Sequence, residues 1–222
     1  KVCIKVNKVY DWVSRQVDLP LQSISGDDFN DLFDCTGSDP TPADDVCAFL
    51  SGKKFETVCK LVPDSLFVQE MNQNGGRQQV TVTLPNREKV KLEKVKVLVK
   101  GLVDITIVDE ANHVLCRANE PIQFVTVQTF FLCAPEGTML HAHVVNFLCN
   151  AETICAGPFQ QLDVSISLCL DVQMEAEVKL EIEAEFCKPR EELNVNLSDI
   201  ACEDVKFPPQ CPSVFPGKHS HK

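Results

Sequence analysis

Val172-Gln-Met-Glu-Ala-Glu-Val-Lys-Leu-Glu-Ile-Glu-Ala-Glu-Phe186 is the stretch that decides the fold. Every even position is apolar, and every odd one is Gln, Glu or Lys. A strand sends successive side chains to opposite faces, so this pattern predicts one core face and one carboxylate row. The same parity reaches back through Leu170, Leu168, Ile166, Val164 and Leu162. A single register over residues 162–186 far exceeds the usual strand of about 5–6 residues. With no Gly or Pro in that span, either one very long strand bends between two sheets or a turn hides near residues 170–173, and we expect the hidden turn or bend.

Similar alternation recurs upstream. Val80, Val82 and Leu84 predict a strand, preceded by a turn in Asn72-Gln-Asn-Gly-Gly76, where Asn and Gly accept positive φ. Val90 and Leu92 are apolar on even positions, whereas Val95, Val97 and Val99 are apolar on odd ones. That slip at Glu93-Lys94 reads as a β-bulge, and Gly101 as a second irregularity. Strands over 103–107, 114–117, 122–131 and 139–147 follow, with turns at Asp109-Glu-Ala-Asn112 and Pro135-Glu-Gly137. One helix candidate lies in 26–35, where Phe29, Leu32 and Phe33 share a helical face. Many strands joined by short turns predict an all-β protein, an antiparallel β-sandwich of jelly-roll-like kind.

The flanks differ from this centre. Residues 1–26 read as an N-terminal arm or a first strand, with Val2, Ile4 and Val6 alternating and Tyr10 and Trp12 as anchor candidates. Residues 27–59 read as an Asp- and Cys-rich insert, with Asp27, Asp28, Asp31, Asp34, Asp39, Asp44 and Asp45 predicting a solvated loop. The sandwich domain is expected over 60–190. Residues 191–222 form a C-terminal extension whose Pro208, Pro209, Pro212 and Pro216 make a poor strand and a Pro-rich tail.

Twelve cysteines stand in 222 residues, none in a Cys-x-x-Cys pair. Zinc sites usually draw on such pairs. The scatter suits disulfides between distant segments or between chains better than reduced core thiols or metal ligands. An apolar fraction of 44% supplies a core without cross-links, so some cysteines are available to work between chains. The even spacing of Cys35, Cys47 and Cys59 is set down to chance, because their flanking residues do not match. Cys3, Cys202 and Cys211 are the candidates for intermolecular disulfides, because arms and tails reach neighbours.

A net charge of −11 opposes nucleic-acid binding, which needs a basic surface, and no Lys/Arg cluster is evident locally. No apolar run approaches the roughly 18 residues of a membrane helix. The sequence begins at Lys1, with no signal-peptide core in view. Nucleophile-elbow, zincin and phosphate-loop motifs are missing. His141 and His143 form a His-x-His pair that a strand would point one way, with His113 as a conceivable third metal ligand. Without supporting carboxylate or thiol spacing, a polar strand face is the simpler reading. The glutamates at 175, 177, 181, 183 and 185 read as a solvated, edge-protecting face, and the aspartates of 27–45 lack calcium-loop spacing. Asn196-Leu-Ser198 matches a glycosylation sequon. No cofactor and no enzymatic activity is expected.

Three segments carry a family resemblance: Lys96-Val-Leu-Val-Lys-Gly-Leu-Val-Asp-Ile-Thr-Ile-Val108, Pro121-Ile-Gln-Phe124, and residues 162–186 with Val178-Lys179-Leu180. Over residues 60–187 the chain resembles the SPOCS-type domain of bacterial spore coat proteins. Its opening, Cys3-Ile-Lys-Val-Asn-Lys-Val-Tyr-Asp-Trp-Val13, is similar to the start of proteins from endospore-forming Firmicutes. The resemblance implies a structural protein of the spore coat, exosporium or appendage, made in the mother-cell cytoplasm. The cysteine count, the Asp-rich insert and the Pro-rich tail are not hallmarks of that domain, and they point to a self-assembling layer or fibre subunit. Its partners would be copies of itself and other spore coat proteins, with no nucleic acid and no membrane. The alternative is a monomeric, disulfide-stabilised adhesin or binding module of the coat.

Overall fold

The computed structural model describes residues 2–35, 45–83, 87–157 and 159–183. The chain divides into two units, Lys1–Ile182 and Glu183–Lys222, and the first holds the sandwich. The expected C-terminal extension, with Cys202, Cys211 and the sequon at Asn196, lies outside the described residues, as does Cys187.

Two antiparallel sheets form the sandwich, each organised around one long strand. In the first sheet that strand is β11, Phe159–Ile182. On one edge it pairs with β10, Met139–Ala156. On the other it pairs in line with β2, Gln22–Ser25, and β1, Val2–Asp18. The opening segment is thus a strand of its own sheet, paired from Val2 opposite Ile182 to Asp18 opposite Ser167.

The turn expected near residues 170–173 is not there, and β11 runs through without a break. Its neighbours take up the curvature. β1 carries a register shift between Val9 and Asp11, and β10 one between Val144 and Asn146. A bulge bends a strand and increases its twist, so two bulges flanking the middle of β11 let one long strand stay continuous. The β1 bulge also moves the apolar positions from even (Val2, Ile4, Val6) to odd (Val13, Val17). Leu162, Val164, Ile166, Leu168, Leu170, Val172 and Met174 are all buried, so the alternation seen in the sequence is the core face.

The second sheet is built around β7, Lys89–Asp109. Along one edge lie β6, Gln78–Thr83, β5, Phe67–Glu70, and β4, Phe55–Leu61, in line. Along the other lie β9, Ile122–Leu132, and β8, Val114–Ala118, the latter also pairing with the short β3, Phe33–Asp34. No register shift occurs at Glu93-Lys94, which corrects the bulge expected there. What changes is the apolar face: Val90 and Leu92 lie opposite Val82 and Val80 where β6 and β7 form a ribbon, and Val95 is the first residue of the buried row. Gly101 is likewise regular, opposite Phe124. A Cβ there would sit 2.6 Å from the Phe124 ring, so the residue is glycine because the buried ring lies across it.

Residues 36–44 of the insert, with Asp39 and Asp44, lie outside the described residues; its described parts are more ordered than a solvated loop. Asp27–Leu32 forms helix α1, which buries Phe29 against Phe33 in an edge-on contact at 5.6 Å. Val46–Leu50 forms helix α2, capped by Asp45, whose carboxylate accepts from the Ala48 N–H at 2.9 Å. Five residues are too short for periodicity to reveal. Cys35, Cys47 and Cys59 each form a disulfide, with Cys116, Cys155 and Cys149 respectively. The segment is therefore stapled to the sandwich at three points.

The two sheets meet along both long seams. On one, β4 faces β10, joined by the Cys59–Cys149 disulfide and by Thr57, whose Oγ1 lies 2.9 Å from that of Thr153. On the other, β1 faces β9: Arg15 donates to the Thr129 carbonyl at 2.9 Å and stacks 4.0 Å over the Phe130 ring. Asp11 accepts from the Cys133 N–H at 2.8 Å on the same seam.

Candidate functional site

The outer face of the first sheet brings together a hydrogen-bonded group of polar and aromatic side chains. Odd positions of β11 point outward there, which puts Asp171 and Gln173 on that face. Trp12 and Ser14 of β1 lie opposite them on one side, and His141 and His143 of β10 on the other. Two rows cross the sheet: Trp12, Gln173, His141 and Ser14, Asp171, His143.

Asp171 is the hub. Its carboxylate accepts from the Trp12 indole N–H, from Ser14 Oγ at 3.0 Å and from Gln173 Nε2 at 3.2 Å. His143 Nε2 lies 3.7 Å away. The residue is only 8% exposed. Burial alone would push its carboxyl up, but the hydrogen bonds from Trp12, Gln173 and Ser14, with His143 beside them, outweigh it and hold the group below the usual carboxylate range. The arrangement is not a nucleophile–base–orienter relay. Asp171 stands between Ser14 and His143, whereas that chemistry needs the imidazole in the middle to take the hydroxyl proton.

The two anchor candidates separate. Tyr10, at the bulge, packs against the core with Lys8 over its ring at 4.7 Å. Trp12 does not enter the core and is 61% exposed, its N–H pinned to Asp171. His141 and His143 share a face, with ring centroids 5.8 Å apart. His113 is in the turn between β7 and β8 and bonds Asp109 of its own turn at 3.2 Å. Among the described residues no three His, Cys, Asp or Glu side chains are grouped to hold a metal ion. Beside His141 lies a hollow of about 210 Å³, lined also by Asn7, Met139, Glu175 and Glu177.

A second feature is the end of the same sheet. β10 begins at Met139, opposite Glu175, and beyond that point β11 keeps only β1 as its partner among the described residues. Residues 2–8 and 176–182 thus form a two-stranded ribbon in which, among the described residues, 176–180 of β11 have no strand on their other edge. Val2, Ile4 and Val6 face Ile182, Leu180 and Val178 on one side of it. Cys3, Lys5 and Asn7 lie with Glu181, Lys179 and Glu177 on the other, where Lys5 and Glu177 are paired at 2.5 Å. Cys3 is an exposed free thiol; Cys133 is another, and Cys169 is a half-buried third.

Sequence reasoning missed Asp171, Gln173 and Ser14, because a lone Asp among alternating residues carries no motif. It also missed a local basic cluster. β7 places Lys94, Lys96 and Lys100 on the outer face of the second sheet, next to exposed Phe131, Val127 and Val125 of β9. The shared strand parity of those lysines, all at even positions, was the available signal. Among the described residues, no helix is long and apolar enough to cross a membrane.

Comparison with protein families, with curated proteins and with solved structures found no match for the chain.

Proposed function

We propose that this disulfide-stabilised β-sandwich is a self-assembling structural subunit of a bacterial spore surface layer or appendage fibre. The observation that carries the reading is the ribbon: among the described residues, β11 has no strand on its other edge over residues 176–180, with the free, exposed thiol of Cys3 on the strand paired beside it. An open edge presents unpaired N–H and C=O groups in a row, the template on which a strand from another chain adds. Docking of a second copy there brings Cys3 near a thiol of that copy. Loss of two protons and two electrons to dioxygen then closes a disulfide between them. Three internal disulfides already account for six cysteines of the sandwich, which leaves Cys3 available for contacts between copies. The spore setting rests on the resemblance of residues 60–187 and of the opening segment. Disulfides persist in oxidising surroundings, which suits a surface location.

The test is negative-stain electron microscopy with boiled gels, with and without reductant, on one preparation of the wild type and of Cys3→Ser. Ordered fibres or sheets, with a gel ladder that collapses on reduction and is lost in Cys3→Ser, support the proposal. Empty grids and a monomer band in every lane overturn it and favour the binding module.

A further inference from the structure

We propose that the outer face of the first sheet is a saccharide-binding site centred on Trp12. The indole is the only one in the chain, and a ring of that size left 61% exposed forgoes the burial that normally stabilises it. It is also held in place, since its N–H is bonded to a carboxylate that is itself almost fully buried. A fixed, open aromatic plate costs little ordering when something stacks on it.

Its surroundings select the class of ligand. Asp171 and Gln173 lie beside the plate, His141 stands across the strand, and the hollow next to His141 is rimmed by Glu175 and Glu177. These carboxylates repel phosphates and other anions. A sugar ring fits both parts: its C–H face stacks on the indole, and its hydroxyls bond the amide, imidazole and carboxylate groups that rim it. A neutral or N-acetylated oligosaccharide is therefore the ligand class, and an acidic one is rejected.

Because Trp12 is the sole tryptophan, its emission reports on this site alone. The protein, kept dilute and with its three internal disulfides intact, is titrated with the hexasaccharides of glucose and of N-acetylglucosamine, with choline as a cation that would use the indole differently. A saturable change in emission with one of the sugars is expected, matched by heat in calorimetry. His141→Ala, whose side chain bonds nothing in the Asp171 network, is expected to weaken binding several-fold with the fold unchanged by circular dichroism. Trp12→Ala, followed by calorimetry, should weaken it about tenfold or more. No saturable response to either sugar overturns the proposal. So does a response to choline alone, binding that survives in both variants, or an emission change produced merely by concentrating the protein, which would mark the face as a contact between copies.

Discussion

Cys59 and Cys149 join β4 to β10, with their Cα atoms 5.6 Å apart. This bond links the two sheets across a seam that carries no backbone ladder. It closes a loop of 90 residues, and a cross-link of that span raises stability by roughly 2–5 kcal/mol, mainly by restricting the unfolded chain. The double variant Cys59→Ser/Cys149→Ser should lose stability in that range, read as a fall in the urea midpoint of the oxidised protein. An unchanged midpoint would mean that the Thr57–Thr153 contact and the core hold the seam unaided.

Gly101 tests the second sheet. A methyl group there meets the Phe124 ring at 2.6 and 2.9 Å and Leu66 at 3.2 Å. Phe124 is fully buried, so its ring has nowhere to move. Gly101→Ala is expected to cost about 1–3 kcal/mol, the range for overpacking a filled core. Gly101→Ala combined with Phe124→Leu should recover part of that loss. No recovery would show that the cost arises elsewhere than in this contact.

The fold was legible where packing is periodic and illegible where it is local. Even positions 162–174 announced the core face of β11 because a sheet covered on one side imposes period two. The bulges at Val9–Asp11 and Val144–Asn146 were hidden, since a bulge is recognised by what lies across the ladder rather than by its own residues. The reverse error at Glu93-Lys94 has the same origin: parity changed because burial changed along one regular strand. The candidate site was half visible. His141 and His143 could be placed on one face from their spacing, and Trp12 stood out by type. Their convergence on Asp171 depends on β1 and β10 both flanking β11, which needs the topology.

Asp171 makes a pH prediction whose sign is fixed by its partners. Its folded carboxyl lies below the usual carboxylate range, held there by Trp12, Gln173 and Ser14 against the effect of burial. The ionised form therefore stabilises the fold above about pH 4, the ordinary range of an unfolded aspartate. That contribution is lost as pH falls through the lower folded value. Asp171→Asn should be less stable than wild type at pH 7, and the gap should narrow progressively below pH 4. Thermal unfolding of both proteins across that interval checks it, and a gap that stays constant with pH would assign the loss to shape alone.

Arg77 offers the last test, because one side chain ties the start of β6 to two other segments. Its Nε and Nη2 bond the two carboxylate oxygens of Glu70, both at 2.8 Å. Nη1 reaches Thr138 Oγ1 at 2.9 Å and the Ala134 carbonyl at 3.2 Å, and Nη2 also reaches the Thr138 carbonyl at 3.0 Å. The hydrogen bonds to Glu70 raise its already high pKa further, so it stays charged throughout the working range. A planar fork satisfies five acceptors that an ammonium group cannot match. Arg77→Lys should therefore destabilise by about 1–3 kcal/mol, close to the cost of Arg77→Met, since both leave largely buried acceptors unpaired. Hydrogen exchange should report the loss first at the 135–138 turn, whose Thr138 N–H bonds the Pro135 carbonyl at 3.1 Å. Full retention of stability in Arg77→Lys would reduce this network to a simple ion pair.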